Sequence, residues 1–210
     1  MKTLLKSVIL VSCLVLIAIP VRAQVPGIDL RLNPRIGLYE PLNDLAEFQA
    51  AGESVVAEQG GSLALGLGLE VDLAMLPVGV RLNLDYATGS DIQVTSNDVD
   101  LGDPIETTLL AVVGDVIFRP LPRVVVVQPY LFAGGGLKQY DVDEGTTATE
   151  FESESDPTIH LGGGIDFGLG PLALNAELGD YISWYEITGT DGSEVQHDLF
   201  VTIGFSIGLL

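Results

Sequence analysis

From Ser62 to Ala87 the chain reads SLALGLGLEVDLAMLPVGVRLNLDYA, with apolar side chains on every second position. Leu63, Leu65, Leu67, Leu69, Val71 and Leu73 alternate with Ala64, Gly66, Gly68, Glu70 and Asp72. After a short turn at Pro77, Val78, Val80, Leu82, Leu84 and Tyr86 alternate with Gly79, Arg81, Asn83 and Asp85. Successive side chains of a strand point to opposite faces, so the stretch predicts a β-hairpin with one apolar face and one small or charged face.

The same period recurs in eight segments, near 28–39, 62–73, 76–88, 105–118, 123–138, 157–168, 171–184 and 196–209. Each is about as long as the 9 to 11 residues that a tilted strand needs to cross a bilayer. The links alternate in length. Ala74-Met75, Arg119 to Pro122 and Leu169-Gly170 are tight, whereas 40–61, 89–104, 139–156 and 185–195 are long. Three short turns and four long loops predict an all-β, eight-stranded, antiparallel up-and-down transmembrane β-barrel, with the short turns in the periplasm and the long acidic loops outside the cell. In the fourth segment Leu109, Ala111 and Val113 share the inner face with Asp115. Phe118, Phe167 and Phe205 fall outward near the turn ends, and Tyr86 and Trp184 near the loop ends, as the two aromatic girdles of such a barrel require. A weak helical pattern covers Leu45 to Ala51.

A soluble ligand-binding barrel has the same period with its apolar face inside. Here that arrangement would crowd rows of leucines into a narrow bore and leave Gly66, Gly68, Gly134, Gly136, Gly162 and Gly164 to the solvent face. The glycines fit an eight-stranded interior better, and the alternation of link lengths has no purpose in a soluble barrel.

Composition agrees with a greasy chain that has no greasy run. Of 210 residues 47% are hydrophobic, with a mean hydropathy of +0.41, yet after residue 24 no segment reaches the roughly 20 apolar residues of a membrane helix. Residues 1–23 differ: Lys2 and Lys6, an apolar run from Val8 to Ile19, then Pro20 and Val21-Arg22-Ala23 read as a secretory signal peptide, with the barrel domain at 24–210. Cleavage before Cys13, as in a lipoprotein, would leave the apolar Leu14 to Ile19 attached. Cys13 is the only cysteine, so the mature chain offers no thiol or disulfide chemistry. Nine basic side chains face 29 acidic ones, a formal charge of −20, and the leader removes Lys2, Lys6 and Arg22 but no acid. Nucleic acid is therefore excluded as a partner by repulsion from its phosphates.

Two stretches, Gln128-Pro129-Tyr130-Leu131-Phe132-Ala133-Gly134-Gly135-Gly136 and His197-Asp198-Leu199-Phe200-Val201-Thr202-Ile203-Gly204-Phe205, give the chain a family likeness. It resembles the small outer-membrane β-barrel proteins, those similar to the transmembrane domain of outer membrane protein A and to the opacity-type, porin-family barrels. The resemblance covers residues 28 to 210 and leaves no room for a peptidoglycan-binding domain after the barrel. It implies residence in the outer membrane of a Gram-negative-type bacterium, contact with outer-membrane lipid and lipopolysaccharide, insertion by the outer-membrane assembly machinery, and extracellular partners reached through the loops. It is specific for architecture and weak for activity, because the family holds structural, adhesive and enzymatic members. The family commonly ends on an outward aromatic residue, whereas this chain ends Gly208-Leu209-Leu210.

Within the bore, the inner face assembles Arg31, Arg35 and Arg81 with Glu70, Asp72, Asp85, Asp115, Asp166 and Glu177. These predict a plug of salt bridges rather than an open pore, since eight strands enclose a space that side chains fill. The acidic loops keep one another extended and solvated. A sharper reading gives Asp141, Asp143, Glu144, Glu152, Glu154 and Asp156 to a divalent cation, which takes several carboxylate oxygens, although no EF-hand spacing is present. No cofactor is expected. An enzymatic reading rests on two histidines. His197 is outward at the upper rim, where a lipid A-modifying enzyme of this architecture would keep its catalytic histidine. Ser193 and Glu194 are near it, but position 199, where that family places a serine, is leucine. His160 is inward near the top of its strand, within reach of Asp198 or Asp85. No complete catalytic set emerges, and the non-enzymatic reading is preferred.

Overall fold

The computed structural model describes residues 27–43, 46–50, 53–73, 76–96, 99–100, 105–121, 126–142, 155–168, 172–186 and 193–209. Its strands are β1 (Ile28–Pro41), β2 (Ala46–Ala50), β3 (Glu53–Gln59), β4 (Ser62–Leu73), β5 (Val78–Ser96), β6 (Val99–Asp100), β7 (Ile105–Phe118), β8 (Val127–Val142), β9 (Ser155–Gly168), β10 (Leu172–Glu186) and β11 (Ser193–Gly208). Eight of them, β1, β4, β5, β7, β8, β9, β10 and β11, form a closed antiparallel barrel. Closure is made by β1 against β11, with Ile36 opposite Ile203 and Tyr39 opposite Phe200. Closing the sheet leaves no unpaired edge along the wall, which is what lipid demands of a β-protein.

The two faces are sorted as the alternation requires. Outward apolar side chains are exposed, Leu38 and Ile203 by 64% and Leu131 by 62%, while inward Asn83, Lys138 and Asp198 are fully buried. This is the inverse of a soluble ligand-carrying barrel, and the exposed band suits a hydrocarbon surround. Phe118, Phe167 and Phe205 are outward at the turn ends, Tyr86 and Trp184 outward at the loop ends. Glycine makes room inside: a Cβ on Gly162 would collide with the Phe132 ring, and one on Gly164 would stand 2.5 Å from the Tyr130 hydroxyl.

Several strands outrun the expected segments. β5 extends to Ser96 rather than residue 88, and β8 begins at Val127 and ends at Val142 rather than running from 123 to 138. The apolar alternation marks the lipid band, whereas hydrogen bonding continues beyond it wherever a neighbour strand continues. A bulge between Thr88 and Ser90, with Gly89 at φ +72, marks the change on β5. Above it, the β3 strand from the first long loop pairs along β5, Gln59 opposite Ile92 and Val55 opposite Ser96. The helical pattern at Leu45 to Ala51 is overturned for the same reason. Ala46–Ala50 is a strand paired with β3, because one turn of helix cannot repay its nucleation while a ready edge offers backbone partners. The leader at 1–23 lies outside the described residues.

Leu82 projects from the middle of the outer band. Leu82→Arg is expected to destabilise the barrel in lipid vesicles by about 2–4 kcal/mol, read as a shift in denaturant midpoint by the fluorescence of the lone Trp184. An unchanged midpoint would reverse the assignment of faces.

Candidate functional site

The inward positions of all eight strands converge on one bore, so its chemistry is set by which heights and walls the side chains come from. Around the barrel β5 and β10 stand on opposite walls, as do β1 and β8. In the middle of the bore Glu177 on β10 accepts from Arg81 Nη1 on β5 at 2.5 Å, from Arg35 Nη1 on β1 at 2.6 Å and from the Tyr130 hydroxyl at 2.8 Å. Arg35 also donates to Asp85 at 2.9 Å, and Arg81 to Asp115 at 3.1 Å. Asn83 Nδ2 donates to Asp115 at 2.5 Å and its Oδ1 accepts from Arg35 at 2.9 Å, joining the two halves. Charge-assisted bonds of this kind are the strong ones, and here none is exposed to bulk water.

A second tier closes the turn end. Arg119 reaches inward from just beyond β7 to Glu70 at 2.8 Å, Asp72 at 3.0 Å and Asp166 at 3.3 Å, and packs over the Tyr130 ring. Arg31 sits at the rim, paired with Asp29 at 2.9 Å and 3.7 Å from Asp72. A third tier lies toward the loops. Lys138 on β8 pairs with Asp198 on β11, which also accepts from Tyr39 at 2.7 Å and Tyr140 at 2.8 Å. Between the middle and loop tiers runs a chain of rings: Tyr39 on Phe200, Phe200 on Tyr181, Tyr181 stacked on His160 at 4.1 Å, and His160 on Phe132. Leu109, Ala111 and Val113 join this layer as buried apolar packing, as their shared face with Asp115 implied.

All nine expected members of the charge network are thus brought to the inner face, but as two tiers rather than one set. Three participants were not assigned to it. Lys138 and Asp198 have the right parity on their strands, and both are fully buried. Arg119 was read as a turn residue, yet it continues the inner row of Asp115 and Ile117, which was the available signal. His160 does not meet Asp198 or Asp85. It bonds Asp115 at 2.9 Å, because Asp85 is taken by Arg35 and Tyr181 and Asp198 by Lys138 and two tyrosines.

Outside the wall, His197 Nδ1 is 2.7 Å from Asp180 Oδ2. That supplies a base and its orienting acid, but Leu199 occupies the next outward position, and the side chains of Ser193 and Glu194 are not among those described. Of the cation candidates, Asp143, Glu144, Glu152 and Glu154 lie outside the described residues. Asp141 and Asp156 lie on β8 and β9, and among the described residues no cluster of three metal-ligating side chains occurs.

Lys138 and Asp198 provide a clean test of the interior. Lys138→Met is expected to cost about 3–5 kcal/mol by stranding a buried carboxylate, and adding Asp198→Asn should recover more than half of it in vesicle unfolding titrations.

No protein-family model and no curated protein sequence matches the chain. Solved structures do match its fold. The outer membrane protein OprG of Pseudomonas aeruginosa aligns with a TM-score of 0.64 at 15% identity, over 86% of this chain and 95% of that one. A major outer membrane protein of Thermus thermophilus aligns at 0.54 and 13% identity, over 86% and 99%, and Neisserial surface protein A at 0.50 and 12% identity, over 86% and 96%.

Proposed function

From the fold it shares with these small eight-stranded outer-membrane β-barrels, we propose that this chain is an outer-membrane protein whose bore is a closed plug and whose work is structural or done at the cell surface by its acidic loops. The reading includes export by a cleaved signal peptide and insertion by the outer-membrane assembly machinery. One observation carries the plug. Arg81 and Glu177 come from opposite walls and meet at 2.5 Å, and Tyr181 reaches across to Asp85 in the same way, so the bore is bridged by bonded side chains rather than lined by them. Permeation along the axis would have to break buried ion pairs that cost several kcal/mol each to leave unmet. The loops, with most of the acidic charge, favour basic or cation-bridged partners over anionic ones.

Planar-bilayer recording of the purified protein is expected to give no steady conductance, whereas Glu177→Ala, which cuts the tie to both arginines, should produce transient openings. Stable large channels in the unmodified protein would overturn the plug. For the enzymatic alternative the decisive measurement is lipid A mass spectrometry with and without expression, with unchanged spectra expected.

A further inference from the structure

The bore buries more negative than positive charge. Among the described residues seven carboxylates are at least nine-tenths buried, against the four cationic side chains Arg35, Arg81, Arg119 and Lys138. The loop tier balances, Lys138 against Asp198, and in the middle tier the third carboxylate, Asp115, has His160 beside it. The deficit falls at the turn end. There Arg119 serves Glu70, Asp72 and Asp166, while Arg31 at the rim is paired with Asp29. Buried carboxylates in excess have to be met by protons or by a bound cation.

The neighbouring wall is the seam where the barrel closes, and its ladder is interrupted there. Leu209 N donates to Leu30 O and Leu42 N to His197 O, so the even positions of β1 direct their backbone groups at β11. Pro34 is one of these positions and has no N–H. The bridged pairs stop at Leu32 and Ile207 and resume at Arg35 and Gly204, which leaves the Phe205 carbonyl, opposite Pro34, without the donor that a ladder would supply.

Three buried side-chain oxygens without a partner stand beside this interruption: Asn33 Oδ1, Ser206 Oγ and Asn175 Oδ1. Asn33 and Ser206 are cross-strand neighbours, and Asn175 is paired with Gly204, the next inward position of β11. A Cβ on Gly204 would strike the Pro34 carbonyl and come within 2.9 Å of Asn175 Oδ1, so this oxygen lies against the seam itself. Asn33 Nδ2 donates to Glu70 at 3.2 Å, and Asn175 is cross-strand from Asp166, which ties the oxygens to the two acids. The Arg35 guanidinium is turned away, to Asp85 and Glu177. Direct and diagonal cross-strand neighbours have Cβ atoms about 5 and about 7 Å apart, spans that short side chains close around one ion. A water would answer the oxygens and leave the charge, and a proton on a carboxyl would answer the charge and leave the oxygens. A cation answers both.

We infer that the turn end of the bore binds a small, hard monovalent cation of the sodium kind at the β1–β11 seam. Asn33, Asn175 and Ser206 supply its side-chain oxygens and the Phe205 carbonyl a backbone one, with Glu70 and Asp166 as the balancing charges behind them. No three acidic, histidine or cysteine side chains converge among the described residues, so the multi-carboxylate shell that calcium favours is not formed. Amide, hydroxyl and backbone oxygens are the donors that desolvated monovalent ions take. The ion ties β1, β10 and β11 together where Pro34 withholds a bond.

The test is equilibrium unfolding of the purified full-length protein in vesicles, with sodium chloride replaced stepwise by N-methylglucamine chloride at constant ionic strength. Above the dissociation constant the folding constant is expected to rise about ten-fold for each ten-fold rise in sodium. Ser206→Ala and Asn175→Ala each remove one ligand oxygen and should move the response to sodium concentrations about five-fold higher, the worth of one polar contact. Identical unfolding in the two salts, as waters or protons alone would give, overturns the site. A sodium response unchanged in the oxygen variants overturns it too, since the ion would then be held elsewhere, as on the acidic loops. Where one oxygen variant does not fold, the other decides, and the comparison of salts on the unmodified protein needs neither. The plug has its own test in the conductance measurement, so failure here leaves that reading standing.

Discussion

An eight-stranded barrel is only as wide as the side chains it encloses, and that constraint governs the rest of this molecule. A charge placed on the inner face cannot turn away to solvent, so it must be met from the far wall or not be there. Arg81 and Glu177 satisfy the condition across the full width of the bore, and Arg35 shares the same carboxylate from a third strand. The barrel therefore has a polar core, with hydrogen bonds and ion pairs setting which walls face each other, while its hydrophobic surface is directed outward. Removing one member costs more than the pair contributes, because the penalty is the stranded partner. Register and closure are thus specified from within, at the positions where β1 and β11 must meet.

The same width explains the distribution of glycine and aromatics. Two of the large rings in the bore use the space left by a glycine on the next strand: Phe132 uses Gly162, and Tyr130 uses Gly164. These glycines are the cross-strand neighbours of the rings, on β9 beside β8, and the tyrosine hydroxyls end on Asp85, Glu177 and Asp198, so the layer between the middle and loop tiers is filled without orphaning its polar tips. Stacking of His160 on Tyr181 settles the histidine's choice of acid, since it holds the ring beside Asp115 and away from the carboxylates already engaged.

Much of this was legible from period two alone, because parity is preserved along a strand. The hairpin at 62–87 assigned Glu70, Asp72, Arg81 and Asp85 to one face, and the bore contains them all. What parity could not provide was height. Two inward residues on different strands meet only if the stagger of the sheet brings them level, so the division of the charges into tiers, and the choice of Asp115 by His160, required the register. Arg119 was hidden by its turn chemistry, where prolines on the following residues suggest a solvent loop although the strand parity still runs inward. The extensions of β5 and β8 were hidden because hydrogen bonding does not end where apolar alternation does. The β2 strand was misread because a five-residue pattern is too short to choose between helix and strand without its neighbour.

Separating a polar interior from an apolar exterior also separates what the protein can change. Substitution inside is constrained by partners on opposite walls, and substitution on the band by its apolar outward rows. At the loop end the band gives way: Asp180 and His197 meet at 2.7 Å on the outer wall, and Glu40, paired with Leu199 on the neighbouring strand, also faces outward there. A leucine at any of these positions would extend an apolar row, so the upper limit of the band is set by where the outward rows first turn polar.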